Sequence, residues 1–359
     1  MTALPTGVAA GRPVRVLESF RTPRATTNPY LSLLVRSLPG EVIATTFSWR
    51  RALAGSYDVL HVHWPEVVVD RRHPARRLAA VALFSLVLLR CRVTGRALVR
   101  TAHNVAPHER QGAPTRAVLR LCDRWTTWWI RLNDTTPTPP GEPATTILHG
   151  HYRNWFTDVP RADRVPGRVL HFGLVRRYKG VEQLLEAFRR LDAADVSLHV
   201  VGRAADAEMA AGVQTAAAVD ARVSLQLEHV PDEVLAREVG ECELVVLPYR
   251  AMHNSGAVLL ALSLGRPVLV PSNPVTDALA DEVGPDWVLR YDDTLDVDVL
   301  DGALRQAKVL SGEPHRQPDL RARDWEALGR QHAEVFRAAS LRARTSRPRV
   351  PGRRPAAGA

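Results

Sequence analysis

The chain has 359 residues, room for about two domains at ~150 residues each. Hydrophobic residues make up 45% and charged residues 24%, which excludes a disordered, collagen-like or low-complexity chain. The formal charge is +10, yet residues 341–359 hold six arginines and no acid, and only Lys179 and Lys308 are lysines. That is an arginine-rich composition with a basic tail, not the footprint of a nucleic-acid binder.

Cys91, Cys122 and Cys242 lie far apart and form neither a disulfide framework nor a zinc spacing, as expected in a reducing cytoplasm. The N-terminus lacks a charged-then-apolar targeting pattern. The longest apolar run, Leu78–Leu89, is shorter than the ~18–20 residues of a membrane span and reads as a buried helix.

Strand and helix signals alternate along the chain. Val14–Leu17 reads as a first strand, Pro29–Leu38 as a helix, Val42–Thr46 as a strand, and Tyr57–His63 as a β-rich run ending at Trp64-Pro65-Glu66. A helix from Pro74 to Arg92 and a strand over Ala97–Thr101 follow, the latter running into His103-Asn104. A helix is expected from about Thr115 to Leu132, then a Thr/Pro-rich stretch over 135–143. The second half repeats the theme, with strands at Arg168–Phe172, Val196–Val201, Arg222–Leu227, Glu243–Leu247 and Val268–Val270. Helices are expected at Val181–Leu191, Asp232–Val239, Gly256–Leu264 and Asp324–Ala339. Such βαβ alternation predicts parallel sheets whose ligands bind beyond the carboxyl ends of the strands.

Two post-strand loops carry anion chemistry. Gly173–Gly180 places Arg176, Arg177 and Lys179 before an amphipathic helix. Cations at a helix N-terminus oppose its dipole by ~0.3–1 kcal/mol each, which makes sense if an anion sits there. The loop Leu247–Ala257 offers an N-cap at Asn254 or Ser255 and free amides at Ser255, Gly256 and Ala257. Two such loops in one domain point to a ligand with two phosphates. Neither is a Walker loop, and no GxGxxG follows the first strand. In the first half, His63, Trp64, Glu66, His103, Asn104, His108 and Glu109 gather at strand ends, where imidazole and carboxylate suit proton transfer or sugar binding. His61, mid-strand, reads as a core residue. His149 and His151 face a ligand or shape a turn.

The ordered segments DVLHVHWPE (58–66), TAHNVAPHE (101–109), ILHGHY (147–152), HFGLVRRYKG (171–180), VVGRA (200–204) and NSGAVLLALSLGRPVLVP (254–271) resemble those of GT-B glycosyltransferases of the glycosyl transferases group 1 class, the bacterial exopolysaccharide and glycolipid type. The resemblance spans about 14–340. It implies two doubly wound Rossmann-like α/β domains facing a cleft: an acceptor domain over 1–155 and a nucleotide-sugar domain over 156–323. A helix over 324–340 and a disordered basic tail over 341–359 follow. It implies a hexose moved from a UDP- or GDP-linked sugar to a saccharide or lipid-linked acceptor. Independently of it, Arg71, Arg72, Arg76, Arg77, Arg90 and Arg92 flank the apolar 78–89 helix, a pattern that would seat the first domain on an anionic membrane surface if the helix is not simply buried with solvated ends. The alternatives are a sugar-nucleotide epimerase and an inactive GT-B protein acting as a binding module.

By that resemblance Arg176 and Lys179, with Arg177 as a substitute, contact the donor diphosphate. Gly202 and Val230 lie where base and ribose bind, and Asn254, Ser255, Gly256 and Ala257 cradle phosphate. His103 sits near the transferring sugar and, with Glu109 and then Glu66, is a candidate base. His63, Trp64, Asn104 and His151 bind the acceptor. No cofactor is implied, the nucleotide sugar being a substrate, and no Asp-x-Asp metal pair stands in a site position. Three departures matter. The usual pair of glutamates with seven residues between them is replaced by Met252 and Leu260, the glycine pair after the first strand by the Arg/Thr-rich run Ser19–Asn28. The aromatic and Thr/Pro-rich segment 123–146 predicts a distorted last strand.

Overall fold

The computed structural model describes residues 12–24, 27–103, 112–160, 162–250, 252–313 and 315–345. The chain divides into two units, one formed by Met1–Leu148 with Trp325–Ala359, the other by His149–Asp324.

The first unit runs β1 (Val14–Glu18), α1 (Pro29–Ser37), β2 (Val42–Thr45), α2 (Trp49–Ala54), β3 (Val59–Val62), α3 (Pro65–Val69), α4 (Pro74–Thr94), β4 (Ala97–Ala102), α5 (Ala113–Arg124), β5 (Trp128–Arg131) and β6 (Ala144–Thr146). All six strands are parallel, in the order β2-β1-β3-β4-β5-β6. The second unit runs β7 (Arg168–Phe172), α6 (Val181–Arg189), β8 (Ser197–Val201), α7 (Ala207–Ala217), β9 (Val223–Gln226), α8 (Asp232–Glu241), β10 (Leu244–Val246), α9 (Gly256–Ser263), β11 (Val268–Pro271), α10 (Pro274–Val283), β12 (Val288–Tyr291) and α11 (Val297–Ser311). Its order is β12-β11-β10-β7-β8-β9, again all parallel. The last helix, α12 (Trp325–Thr345), belongs to the first unit and packs Leu328, Ala333, Val335, Phe336 and Ala339 into its core.

Strand interiors buried on both faces explain the near-continuous apolar runs. In each sheet the strand order reverses at one point, between β1 and β3 and between β7 and β10. Ligands of open α/β sheets bind beyond the strand ends at such a point.

Four expectations shift. The units divide at His149, not 156, because the His151 N–H donates to the Arg323 carbonyl and the Tyr152 N–H to Ser263 Oγ. The last helix continues to Thr345, where a tail was expected from 341, and Arg344 pairs with Asp58. The helix expected to reach Leu132 stops at Arg124, and the Trp-Trp-Ile run after it is the buried strand β5. Finally, β5 and β6 pair regularly, so the last strand of the first sheet is intact.

Candidate active site

The first sheet gathers its chemistry at the strand ends flanking the reversal point. Glu18 ends β1 and stands in register with His61 on β3. Both are fully buried. The Glu18 carboxylate meets His61 Nδ1 at 3.2 Å and His63 Nε2 at 3.2 Å. His61 Nε2 lies 2.8 Å from Thr101 Oγ1, and His63 Nδ1 lies 3.0 Å from His103 Nε2. Burial by itself would raise the Glu18 pKa. The two imidazoles outweigh it and hold the carboxyl at about 2. Burial, reinforced by His61, brings His63 down to about 4.

These values set the protons. An ionised carboxylate only accepts, so His61 Nδ1 and His63 Nε2 both carry hydrogen. His63 is neutral, so its Nδ1 is bare and accepts from His103 Nε2–H. A neutral His103 therefore has its basic nitrogen at Nδ1. Its ring is stacked on Trp64 at 4.1 Å and meets the Tyr30 edge at 5.2 Å. His332, on α12, is buried with its ring 6.1 Å from His61, and burial brings it to about 3.

Of the residues singled out in the sequence for this unit, His63, Trp64 and His103 come together. His63 was expected to bind the acceptor. Its ring is buried and engaged with Glu18 and His103, which leaves no polar atom to present to a ligand. Glu66 lies in the first turn of α3 and acts electrostatically on Arg100, which leaves β4 on the face opposite Thr101. Glu66 is thus not part of the histidine cluster. Asn104, His108 and Glu109 lie outside the described residues. Sequence reading missed Glu18: it sits in the first strand, and only the strand pairing brings it to the histidines.

Glu18, His61 and His63 also place one ligand atom each within 4.8 Å of one another, the one group of metal-binding type among the described residues. Their nitrogens and oxygens satisfy each other, so the cluster is complete as a hydrogen-bonded network.

In the second unit, the loops after β7 and β10 meet. Gly180 has φ +66, and a Cβ there would lie 2.3 Å from the Pro248 carbonyl oxygen, so only glycine lets the loops approach. Lys179 Nζ donates to Tyr249 Oη at 3.1 Å and lies 4.6 Å from that ring's centroid. Burial, then the Arg176 charge, lowers Lys179 to about 8. His171 beneath it donates from Nδ1 to the Val246 carbonyl; burial and the Lys179 charge bring it to about 3. Arg177 turns outward to an exposed pair with Glu208, away from the Arg176–Lys179 pair.

Ser255 caps α9 by accepting from the Val258 N–H at 3.3 Å. Asn254, Ser255, Gly256 and Ala257 are half-buried. A Cβ on Gly256 would come within 2.9 Å of Tyr152 Oη and 3.9 Å of His149 Nε2, so this helix start faces both rings. His151 is buried and, like His149, belongs to this unit. Gly202, at φ +134, lies so close to the Gly173 carbonyl that a Cβ would sit at 2.2 Å. Val230 is buried. Met252 and Leu260, where the two glutamates are missing, are buried apolar residues.

Comparison with known proteins gives the family and the fold. Residues 166–294 match the family model described as glycosyl transferases group 1. A protein of Xanthomonas campestris pv. campestris, GDP-mannose:glycolipid 4-beta-D-mannosyltransferase, is 49% identical over 338 residues, covering 93% of this chain and 95% of the relative. Among solved structures, Anabaena Alr3699/HepE in complex with UDP-glucose aligns at a TM-score of 0.56 and 14% identity, over 92% of this chain and 98% of the other. An α,α-trehalose-phosphate synthase (UDP-forming) from Burkholderia vietnamiensis aligns at 0.59 and 11% identity, over 93% and 98%. Both share the GT-B fold expected from the sequence.

Proposed function

The chain belongs to the group 1 glycosyltransferases, and we propose that within that family it transfers mannose from GDP-mannose to a glycolipid acceptor, forming a β-linkage. As a glycosyltransferase it moves a hexose from a nucleoside-diphosphate sugar to a saccharide or lipid-linked acceptor, and the epimerase alternative lapses. The observation that carries the finer reading is the 49% identity, sustained over nearly the whole of both chains, to an enzyme of that donor, acceptor and linkage.

GDP-mannose presents its sugar as the α-anomer. A β-linked product therefore needs one inversion at the anomeric carbon, with a base taking the proton of the attacking hydroxyl. His103 fills that role through Nδ1. As it becomes an imidazolium, its Nε2–H remains donated to His63, and the Glu18 carboxylate steadies the charge through the His63 ring. Trp64 and Tyr30 hold the His103 ring in place.

In the second unit Arg176 and Lys179 take the diphosphate, Arg176 as a fork and Lys179 as a point charge. The α9 amides at Ser255–Ala257 add a helix N-terminus. Together they neutralise the charge that builds on the departing phosphate, and no cofactor enters this reading. Gly202 and Val230 border the nucleoside. Asn254 and Ser255 stand beside the sugar's position in place of the missing glutamates.

The acceptor side meets a membrane through α4. No helix among the described residues is long and apolar enough to cross a membrane. The exposed stripe of α4 nonetheless carries Leu78, Leu86, Leu89 and Val93, each about half exposed. The stretch 71–96 has seven arginines and no acid. An apolar stripe with basic flanks fits an anionic bilayer surface.

The test is product analysis. Membrane lipids from a glycolipid-accumulating strain are incubated with the protein and labelled GDP-mannose, UDP-glucose or UDP-galactose. A β-mannosylated lipid formed only from GDP-mannose is the expected result. Transfer from a UDP-sugar instead, or an α-linked product, would overturn the donor or the inversion.

A further inference from the structure

Arg21, Thr22 and Arg24, from the sequence run that replaces the usual glycine pair, line one side of a cavity of about 880 Å3 in the first unit. The segment after β2 and the helix α2 line the rest. Its lining includes Arg21, Arg24, Arg50 and Arg51, with Phe47 and Trp49. Both segments follow the carboxyl ends of the neighbouring strands β1 and β2, the edge at which such sheets bind ligands.

Among the described residues, no acid lines this cavity. Arg51 donates to the Thr46 carbonyl at 2.9 Å. Among the described residues, too, Arg21, Arg24 and Arg50 form no ion pair, whereas elsewhere in the unit Arg12 and Arg344 share Asp58 and Arg337 pairs with Glu41. Guanidinium groups gathered without a counter-charge repel one another, and an oxyanion reverses that cost. Guanidinium is also the side chain whose fork matches phosphate oxygens.

We propose that this cavity is an oxyanion site that takes the phosphate or diphosphate group of a lipid-linked acceptor; the assignment rests on the reading of the acceptor as a glycolipid. Its surroundings fit. Phe20, the residue before Arg21, places its ring 5.8 Å from His63 and accepts the Phe47 N–H at its carbonyl. The cavity thus adjoins the histidine cluster on one side. On the other, Arg90 of α4 donates to the carbonyls of Ala52 and Gly55, at 2.9 and 2.7 Å, where α2 ends. A phosphate held by the arginines has the helix with the apolar stripe on one flank and the proposed base on the other, the order of lipid, phosphate and sugar in such an acceptor.

The experiment is calorimetry on the full chain at saturating GDP, which fills the donor's own diphosphate site. The probes are farnesyl diphosphate, farnesol and inorganic diphosphate. Farnesyl diphosphate is expected to bind more tightly than inorganic diphosphate, and farnesol not at all. In an Arg24→Gln/Arg50→Gln variant both phosphate probes should weaken at least tenfold, with GDP affinity and melting temperature unchanged. Inorganic diphosphate binding as tightly as the farnesyl ester would assign the site to free phosphate and overturn the acceptor role. Binding that survives in the variant, or no binding at saturating GDP, overturns the site. A variant whose KM for a lipid-linked acceptor stays at the wild-type value does so too, while leaving the transferase reading intact. Phosphate binding without any transfer to glycolipid would instead strike the reading on which the assignment rests.

Discussion

His103 Nε2 lies 3.0 Å from His63 Nδ1, and His63 Nε2 lies 3.2 Å from the Glu18 carboxylate, so a buried negative charge is connected through one imidazole to a second one beside Trp64. The connection needs Glu18 ionised and His63 neutral, and both hold at neutral pH.

His103→Ala is therefore expected to lower kcat by roughly 10²–10⁴ with little change in GDP affinity. Glu18→Gln should lower kcat in the same direction and flatten the pH–rate profile, a readout that loss of packing alone does not move. Loss of GDP affinity in His103→Ala would remove the residue from the chemical step.

Lys179→Ala and Arg176→Ala should each weaken GDP binding about ten- to a hundredfold, the range of a lost charged hydrogen bond. Arg177→Ala, whose guanidinium is spent on Glu208, should leave it nearly unchanged. Lys179 sits at about 8, so its charge is lost as pH rises through that value. GDP affinity should fall above pH 8, and binding near pH 8 should take up protons, measured from the buffer dependence of the binding enthalpy.

Acid should unfold the protein early. His63 and His149 are brought down to about 4, His171 and His332 to about 3, all by burial first. Each stays neutral in the folded chain while the unfolded chain protonates near 6.5. Stability is present above that pH and falls as pH drops towards 3–4, by up to about 1.4 kcal/mol per pH unit for each histidine. Glu18 adds to the loss between 4.5 and about 2. Denaturant midpoints at pH 7, 6 and 5 check this, and a flat profile would contradict it.

Two helix glycines should respond with opposite sign. A Cβ on Gly329 of α12 would stand 2.0 Å from the Ser37 carbonyl oxygen, backbone against backbone, so Gly329→Ala should cost about 1–3 kcal/mol. Gly212 in α7 has nothing near its Cβ position, and Gly212→Ala should stabilise by up to about 1 kcal/mol. Thermal melts distinguish the two.

On α4, Leu86→Glu with Leu89→Glu should abolish co-sedimentation with phosphatidylglycerol vesicles while leaving the fold intact. Wild-type protein should bind phosphatidylcholine vesicles far less. Binding that persists in the double variant would move the membrane contact elsewhere.

Much of the fold is legible along the chain. The alternation of apolar strand runs with helical spacings predicts two parallel sheets, because strands buried on both faces must be apolar throughout. The loops at Arg176–Lys179 and Asn254–Ala257 stand out because cations before a helix oppose its dipole unless an anion joins them, and because capping residues mark where a helix begins. His63 and His103 are visible because both follow strand runs. Tertiary structure decided their roles. Glu18 lies 43 residues from His61 in sequence, and no local pattern joins them; the pairing of β1 with β3 does. The same pairing turns His63 from an expected ligand contact into a buried link. Arg177 reads like Arg176, yet Glu208, on a helix one strand further along, draws it outward. Local propensity and periodicity are properties of neighbouring residues and can be read in order. Protonation, burial and charge pairing depend on which distant strands become neighbours, and only the folded sheet determines that.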